Sequence, residues 1–118
     1  MSILIYGKRP DQQHLQSLLE SCSHHPLSCA RPVHPESYDQ FISHLRSQSF
    51  RAIFIHEAGA AGMESVRAAK VLCPDTPVIW FSDDHLFHQH SQRLSAAYFA
   101  VKPICKHHIE AALQCCTA

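Results

Sequence analysis

The chain has 118 residues, of which 46% are hydrophobic, and ten Lys and Arg are balanced by ten Asp and Glu. That length holds one real core and excludes two ordinary domains, so residues 1–118 are read as a single domain. A formal charge of zero leaves no basic field to attract a phosphate backbone, and direct nucleic-acid binding is not expected.

Eleven histidines make that neutrality conditional, because unperturbed imidazoles titrate at about pH 6.5. The six cysteines, Cys22, Cys29, Cys73, Cys105, Cys115 and Cys116, form no CxxC pair and read as thiols in a reducing compartment. Lys8, Arg9 and Pro10 interrupt the start before a secretory apolar region can form. Nothing approaches the roughly 20 apolar residues that cross a bilayer. The expected location is the cytoplasm.

In chain order, Ile3 to Tyr6 is a short, wholly apolar run of the kind a central parallel strand needs. Lys8 to Asp11 breaks it, and from Gln12 the residues Leu15, Leu18, Leu19 and Cys22 fall at helical spacing until Pro26. "LSCARPV" (27–33) predicts a weak second strand. "PESYDQFISHLRS" (35–47) predicts a helix with Pro35 and Glu36 in its opening turn and Phe41, Ile42 and Leu45 facing inward. Ala52 to Ile55 is the third strand and runs into His56 and Glu57. Met63, Val66, Ala69 and Cys73 make the next helical stripe, stopped by Pro74. "TPVIWF" (76–81) is the fourth strand, with Pro77 tolerated at its start. Residues 85–97 predict a polar helix that buries only Leu86, Phe87, Leu94 and Ala97. "YFAV" (98–101) is the fifth strand, and Ile109, Ala112, Leu113 and Cys116 stripe the last helix. Five β-α units imply right-handed crossovers and a parallel sheet covered on both faces.

Within this order, "PDTPVIWFS" (74–82) and "SAAYFAVKPI" (95–104) resemble the receiver domain of bacterial two-component response regulators, over essentially the whole chain. The resemblance implies a doubly wound five-stranded α/β domain of the flavodoxin-like (βα)5 type. Lys102-Pro103 matches the lysine and following cis peptide bond of that family. Ser82 matches its Ser/Thr switch position, and Phe99 its rotameric aromatic.

An active receiver needs two acidic residues after the first strand to hold Mg²⁺ and an aspartate ending the third strand to accept the phosphoryl group. Mg²⁺ prefers hard oxygen ligands, and metal and lysine together offset the charge of the transferring group. Here Gly7 and Lys8 stand at the acidic pair. Counted from "FRAIFIH" the acceptor slot falls on His56, and counted back from "GMES" it falls on Glu57.

A degenerate, phosphorylation-independent receiver is therefore expected, with no enzyme activity, cofactor or metal. A salt bridge from Lys8 or Lys102 to Glu57 is expected to hold its loops. Its role would be signalling or transcription regulation in a bacterium, through a homodimer or regulatory partner on the face of helix four, strand five and helix five. That face carries Phe87, Leu94, Phe99 and Lys106 and borders His88; an attached effector domain is also expected.

Two alternatives keep a site. One is an atypical phospho-accepting receiver. The other is a nucleotide or cyclic-dinucleotide sensor built on the loop of Gly59 and Gly62, which lacks the Walker and GxGxxG patterns. His85, His88 and His90 lack a completing carboxylate or thiol and read as a solvated helix face rather than a metal site. Cys105 beside His107 and His108 lacks the acidic orienter of a nucleophilic centre.

Overall fold

The structure is a computed structural model that describes residues 2–22 and 24–116. Its strands are β1 (Ser2–Gly7), β2 (Arg31–Val33), β3 (Ala52–His56), β4 (Val78–Ser82) and β5 (Tyr98–Val101). Its helices are α1 (Arg9–Glu20), α2 (Tyr38–Ser47), α3 (Gly59–Leu72), α4 (His88–Arg93) and α5 (Lys106–Gln114). The five strands form one parallel sheet in the order β2-β1-β3-β4-β5. The expected doubly wound α/β architecture is what the chain adopts.

Strand alternation divides the core in two. Ile3, Ile5, Phe54 and Phe81 face α1 and α5, where Leu15, Leu19, Ile109 and Leu113 meet them. Leu4, Tyr6, Ile53, Ile55 and Trp80 face α2 and α3, where they meet Phe41, Leu45, Val66 and Ala69. Burial on both faces is why β1, β3 and β4 read as unbroken apolar runs.

The expected boundaries shift where local chemistry intervenes. α1 begins at Arg9 rather than Gln12, because Pro10 in the first turn lacks only an N–H that has no intrahelical partner there. The first half of 27–33 is not strand: Pro26–Cys29 is a 3-10 turn, and β2 is an edge strand of three residues. α2 starts at Tyr38 instead of Pro35, capped by the Ser37 hydroxyl, which accepts from the Gln40 N–H at 3.2 Å. Residues 85–97 do not form one helix. A 3-10 turn at His85–Phe87, started by the Asp84 carboxylate on the Leu86 N–H at 2.9 Å, leads into a six-residue α4.

The crossovers gather the carboxyl ends of β1, β3, β4 and β5 at one rim of the sheet. From β1 the chain passes first to β2 on one side and then to β3 on the other. The crevice at such a reversal is where doubly wound sheets bind ligands.

Candidate functional site

Gly7 at the tip of β1 is in register with His56 at the tip of β3, and His56 with Phe81 of β4. The strands approach so closely that a Cβ on Gly7 would lie 2.6 Å from the His56 carbonyl oxygen. On the far side of the rim, the Lys102 N–H donates to the Ser82 carbonyl at 2.8 Å, and the Lys102-Pro103 peptide is cis. Ser82 is buried, with its hydroxyl 3.5 Å from the Asp83 carboxylate.

Lys102 does not reach Glu57. Its Nζ donates to Asp11 Oδ2 at 3.2 Å, linking the end of β5 to the first turn of α1, and both side chains are about a third exposed. A carboxylate is well placed there against the positive end of α1. Asp11 is the member of the site that the sequence pattern does not single out. The available signal is an acid in the first turn of a helix that starts two residues after β1.

The two readings of the acceptor slot part company. His56 closes β3 on the α1/α5 side and is 3% exposed, with the edge of its ring toward Phe81 at 5.8 Å. Neither ring nitrogen has a hydrogen-bond partner among the described residues. Burial pushes the His56 pKa below its ordinary value; the Asp11 carboxylate and the Asp11 backbone oppose this, while Lys102 and His14 push the same way as burial. Glu57, one residue on, turns toward α3. Its Oε1 accepts from Ser65 Oγ at 2.6 Å, and its carbonyl accepts from the Trp80 indole at 2.9 Å. Its carboxylate, after burial, helps push the Tyr6 hydroxyl pKa up.

The expected bridge from Lys8 or Lys102 to Glu57 is thus corrected. No ion pair to Glu57 exists among the described residues, Lys8 is exposed, and Lys102 is taken by Asp11. Strand alternation is the cause, since it sends Glu57 and the Asp11–Lys102 pair to opposite faces. The Mg²⁺ that receivers use does not fit these residues. Gly7 and Lys8 offer no carboxylate, the Asp11 oxygen is engaged by an ammonium group, and no three His, Cys, Asp or Glu side chains among the described residues converge to hold a metal.

Of the other singled-out residues, Phe87, Leu94 and Phe99 are half-buried and pack on the Trp80 side of the core. The Phe99 and Phe87 rings meet Trp80 at 5.2 and 5.7 Å. Leu86, in the 3-10 turn before α4, is 70% exposed, and Lys106 at the start of α5 is exposed as well. His88 lies on Phe99 and His90 on Phe87, while His85 is exposed, so the three imidazoles do not converge. His108 does meet Cys105: its Nδ1 accepts the Cys105 N–H at 3.1 Å and lies 3.4 Å from the thiol, which caps α5.

Gly59 has a φ of +64°, and Gly62 lies under the Glu57 carbonyl and Trp80 indole, where a Cβ would overlap the carbonyl. A cavity of about 510 Å³ opens at the tip of β1 and the β2–α2 connection, lined by Lys8, Arg9, Gln12, Gln16, His34 and Glu36, among others. The His34 Nε2 lies 2.6 Å from Gln16 Oε1, and burial pushes the His34 pKa down.

Among solved structures, CheY4 of Vibrio cholerae, a chemotaxis response regulator, superposes with a TM-score of 0.76 at 15% identity, covering 98% of each chain. The fold is that of a response regulator receiver domain. A CheY-like receiver domain protein from Methanospirillum hungatei gives a TM-score of 0.76 at 14% identity over 96% of this chain and 90% of its own. A chain from Sinorhizobium meliloti assigned to CpaE2, a pilus assembly protein, gives 0.75 at 13% identity over 99% of this chain and 100% of its own. No family model and no curated protein sequence matches the chain.

Proposed function

We propose that this receiver fold is a pseudo-receiver, a signalling module that acts by binding protein and works without phosphoryl transfer. The observation that carries the reading is the state of the rim: the lysine and the carboxylate that an active receiver would use there are already engaged. Lys102 is paired with Asp11, the Glu57 carboxylate is held by Ser65, and Gly7 leaves no room for an acid. A site closed in this way has neither a metal cradle nor a free acceptor to gain by activation. Treatment with acetyl phosphate or beryllofluoride in Mg²⁺, followed by intact-protein mass spectrometry and Mg²⁺ titration, should give no stable adduct and no tight metal binding. A Mg²⁺-dependent adduct on Glu57 or His56 overturns the reading and establishes the atypical phospho-acceptor.

The binding surface of this reading is the α4–β5–α5 face. Half-buried Phe87, Leu94 and Phe99 lie on it, and Leu86 in the turn before α4 and Lys106 at the start of α5 are exposed. A second copy or a regulatory protein would seat an apolar contact on it, and an effector domain in the same polypeptide would read the outcome. A central apolar anchor contributes about 2 kcal/mol or more, roughly 30-fold in affinity. Leu86→Glu should weaken self-association or partner capture by that factor in sedimentation velocity, without changing the fold. Unchanged association in the variant moves the contact elsewhere.

A second reading rests on the cavity at Lys8, Arg9 and His34. Lys8, Arg9, which is paired with Glu36 at 3.4 Å, and several amides around about 510 Å³ suit a small phosphorylated ligand that displaces the Glu36 carboxylate from Arg9, within the usual size range of ligand pockets. Saturable binding of a nucleotide, lost in Arg9→Ala, favours sensing over constitutive protein binding.

The module is proposed to act in the cytoplasm of a bacterium and to catalyse no reaction. No helix among the described residues is long and apolar enough to cross a membrane.

A further inference from the structure

We infer that His56 is a proton-operated switch that draws Asp11 away from Lys102 and so changes the end of β5. The inference rests on the phosphorylation-independent reading above and supplies that reading with an input signal.

A side chain that is 3% exposed and whose ring nitrogens make no well-formed hydrogen bond among the described residues, with only the Asp11 backbone close enough to favour its protonated form, is unusual, because buried polar atoms nearly always find partners. The neutral ring tolerates this state at the cost of its unmade hydrogen bonds. The protonated ring does not, since it carries a buried positive charge and two N–H donors. The groups facing it are few. From α1 come the Asp11 carboxylate, the Asp11 backbone and His14, and from the end of β5 comes Lys102. Phe81 of β4 covers one edge of the ring, and Gly7 of β1 brings no side chain. Glu57, adjacent in sequence, is turned to Ser65 on the other face. His14 is itself held at its Nε2, 2.9 Å from the Ile104 carbonyl.

Asp11 is therefore the one anionic group among those that act on the ring. When a proton from solvent binds an imidazole nitrogen, two cations compete for one carboxylate, and the buried cation gains more from it because it is shielded from water. Lys102, already about a third exposed, keeps the option of hydration. Its backbone N–H is bonded to Ser82 and its ammonium group tethers β5 to α1. Releasing the ammonium group loosens the tether at the edge of the α4–β5–α5 face. The stored histidine pKa, pushed down by burial and by Lys102, places the transition on the acid side of the ordinary imidazole value.

The test is imidazole ¹⁵N and backbone amide NMR from pH 8 to 4.5, on the wild-type chain, His56→Gln, Asp11→Asn and Lys102→Met. His56→Gln identifies the ring signal among the eleven histidines; if that variant does not fold, the two charge variants carry the assignment by their opposite shifts. The expected result is a His56 that is neutral at pH 7.5 and protonates at a lower pH than exposed histidines. The Lys102 and residue 98–101 signals should move with the same midpoint. Asp11→Asn should lower the proton affinity of His56 about tenfold, and Lys102→Met should raise it. A His56 that stays neutral until the chain unfolds overturns the inference, as does one that titrates without moving Lys102 or β5, or one insensitive to Asp11. None of these outcomes bears on the acetyl phosphate experiment, so the switch fails separately from the pseudo-receiver.

Discussion

Gly62→Ala should unfold the loop that holds Glu57 in place. The added methyl group would overlap the Glu57 carbonyl and stand 2.8 Å from the Trp80 Nε1, displacing the partner of the indole N–H bond of 2.9 Å. Overpacking at such a point costs about 1–3 kcal/mol. Leaving the buried indole N–H without its acceptor costs about 1–3 kcal/mol more. The better helix propensity of alanine in α3 returns about 1 kcal/mol, so the net loss centres on about 3 kcal/mol. At a urea dependence of about 1.5 kcal/mol per molar, the midpoint should fall by about 2 M.

Trp80 is the single tryptophan and fully buried, so its emission follows the transition and reports its local packing in the folded state. Gly59→Ala is the control, since a methyl there meets nothing within 4 Å and only the φ of +64° opposes it; its cost is about 1 kcal/mol. A Gly62→Ala chain within about 0.5 kcal/mol of its parent, with unmoved Trp80 emission, refutes the steric argument.

Asp11→Asn should lower stability by about 1–2 kcal/mol in urea unfolding, between the values for an exposed pair and a buried one, because its partner Lys102 is only partly shielded. Glu57→Gln should cost less than about 1 kcal/mol, because a Ser65 hydroxyl rather than a cation faces it; the reverse ranking would return the charge site to Glu57. Stability should be level between pH 7.5 and 8 and decline as pH falls below the ordinary histidine value of 6.5, because His56 and His34 are held below it when folded and the unfolded chain binds protons first. Thermal unfolding from pH 8 to 5 checks this, and a melting temperature that rises on acidification contradicts it.

The sheet was legible because its strands are buried on two faces, and Leu4, Ile53, Ile55, Ile79 and Trp80 leave no polar alternation to misread. The stripes of α1, α2 and α5 were equally plain. The region 85–97 was not, because its packed apolar side chains come from a 3-10 turn and a loop: Phe87 and Leu94 flank α4, whose own buried residue is the polar Ser91. The loss of the acidic pair at Gly7 and Lys8 was visible in the residues themselves. The partner of Lys102 was not, since Asp11 lies 91 residues away and only the crossovers bring the two together. The direction of Glu57 depended on where β3 ends, and a shift of one residue reverses the face.

The close approach of β1 to β3 at Gly7 also bears on ancestry. Were this chain descended from an active receiver, restoring an acid at position 7 would drive its Cβ into the His56 carbonyl, at 2.6 Å. Such a reversion would be selected against for folding before any catalytic benefit could accrue. On that descent the backbone would have closed over the site, and divergence at this rim would run in one direction until the end of β3 first moved away.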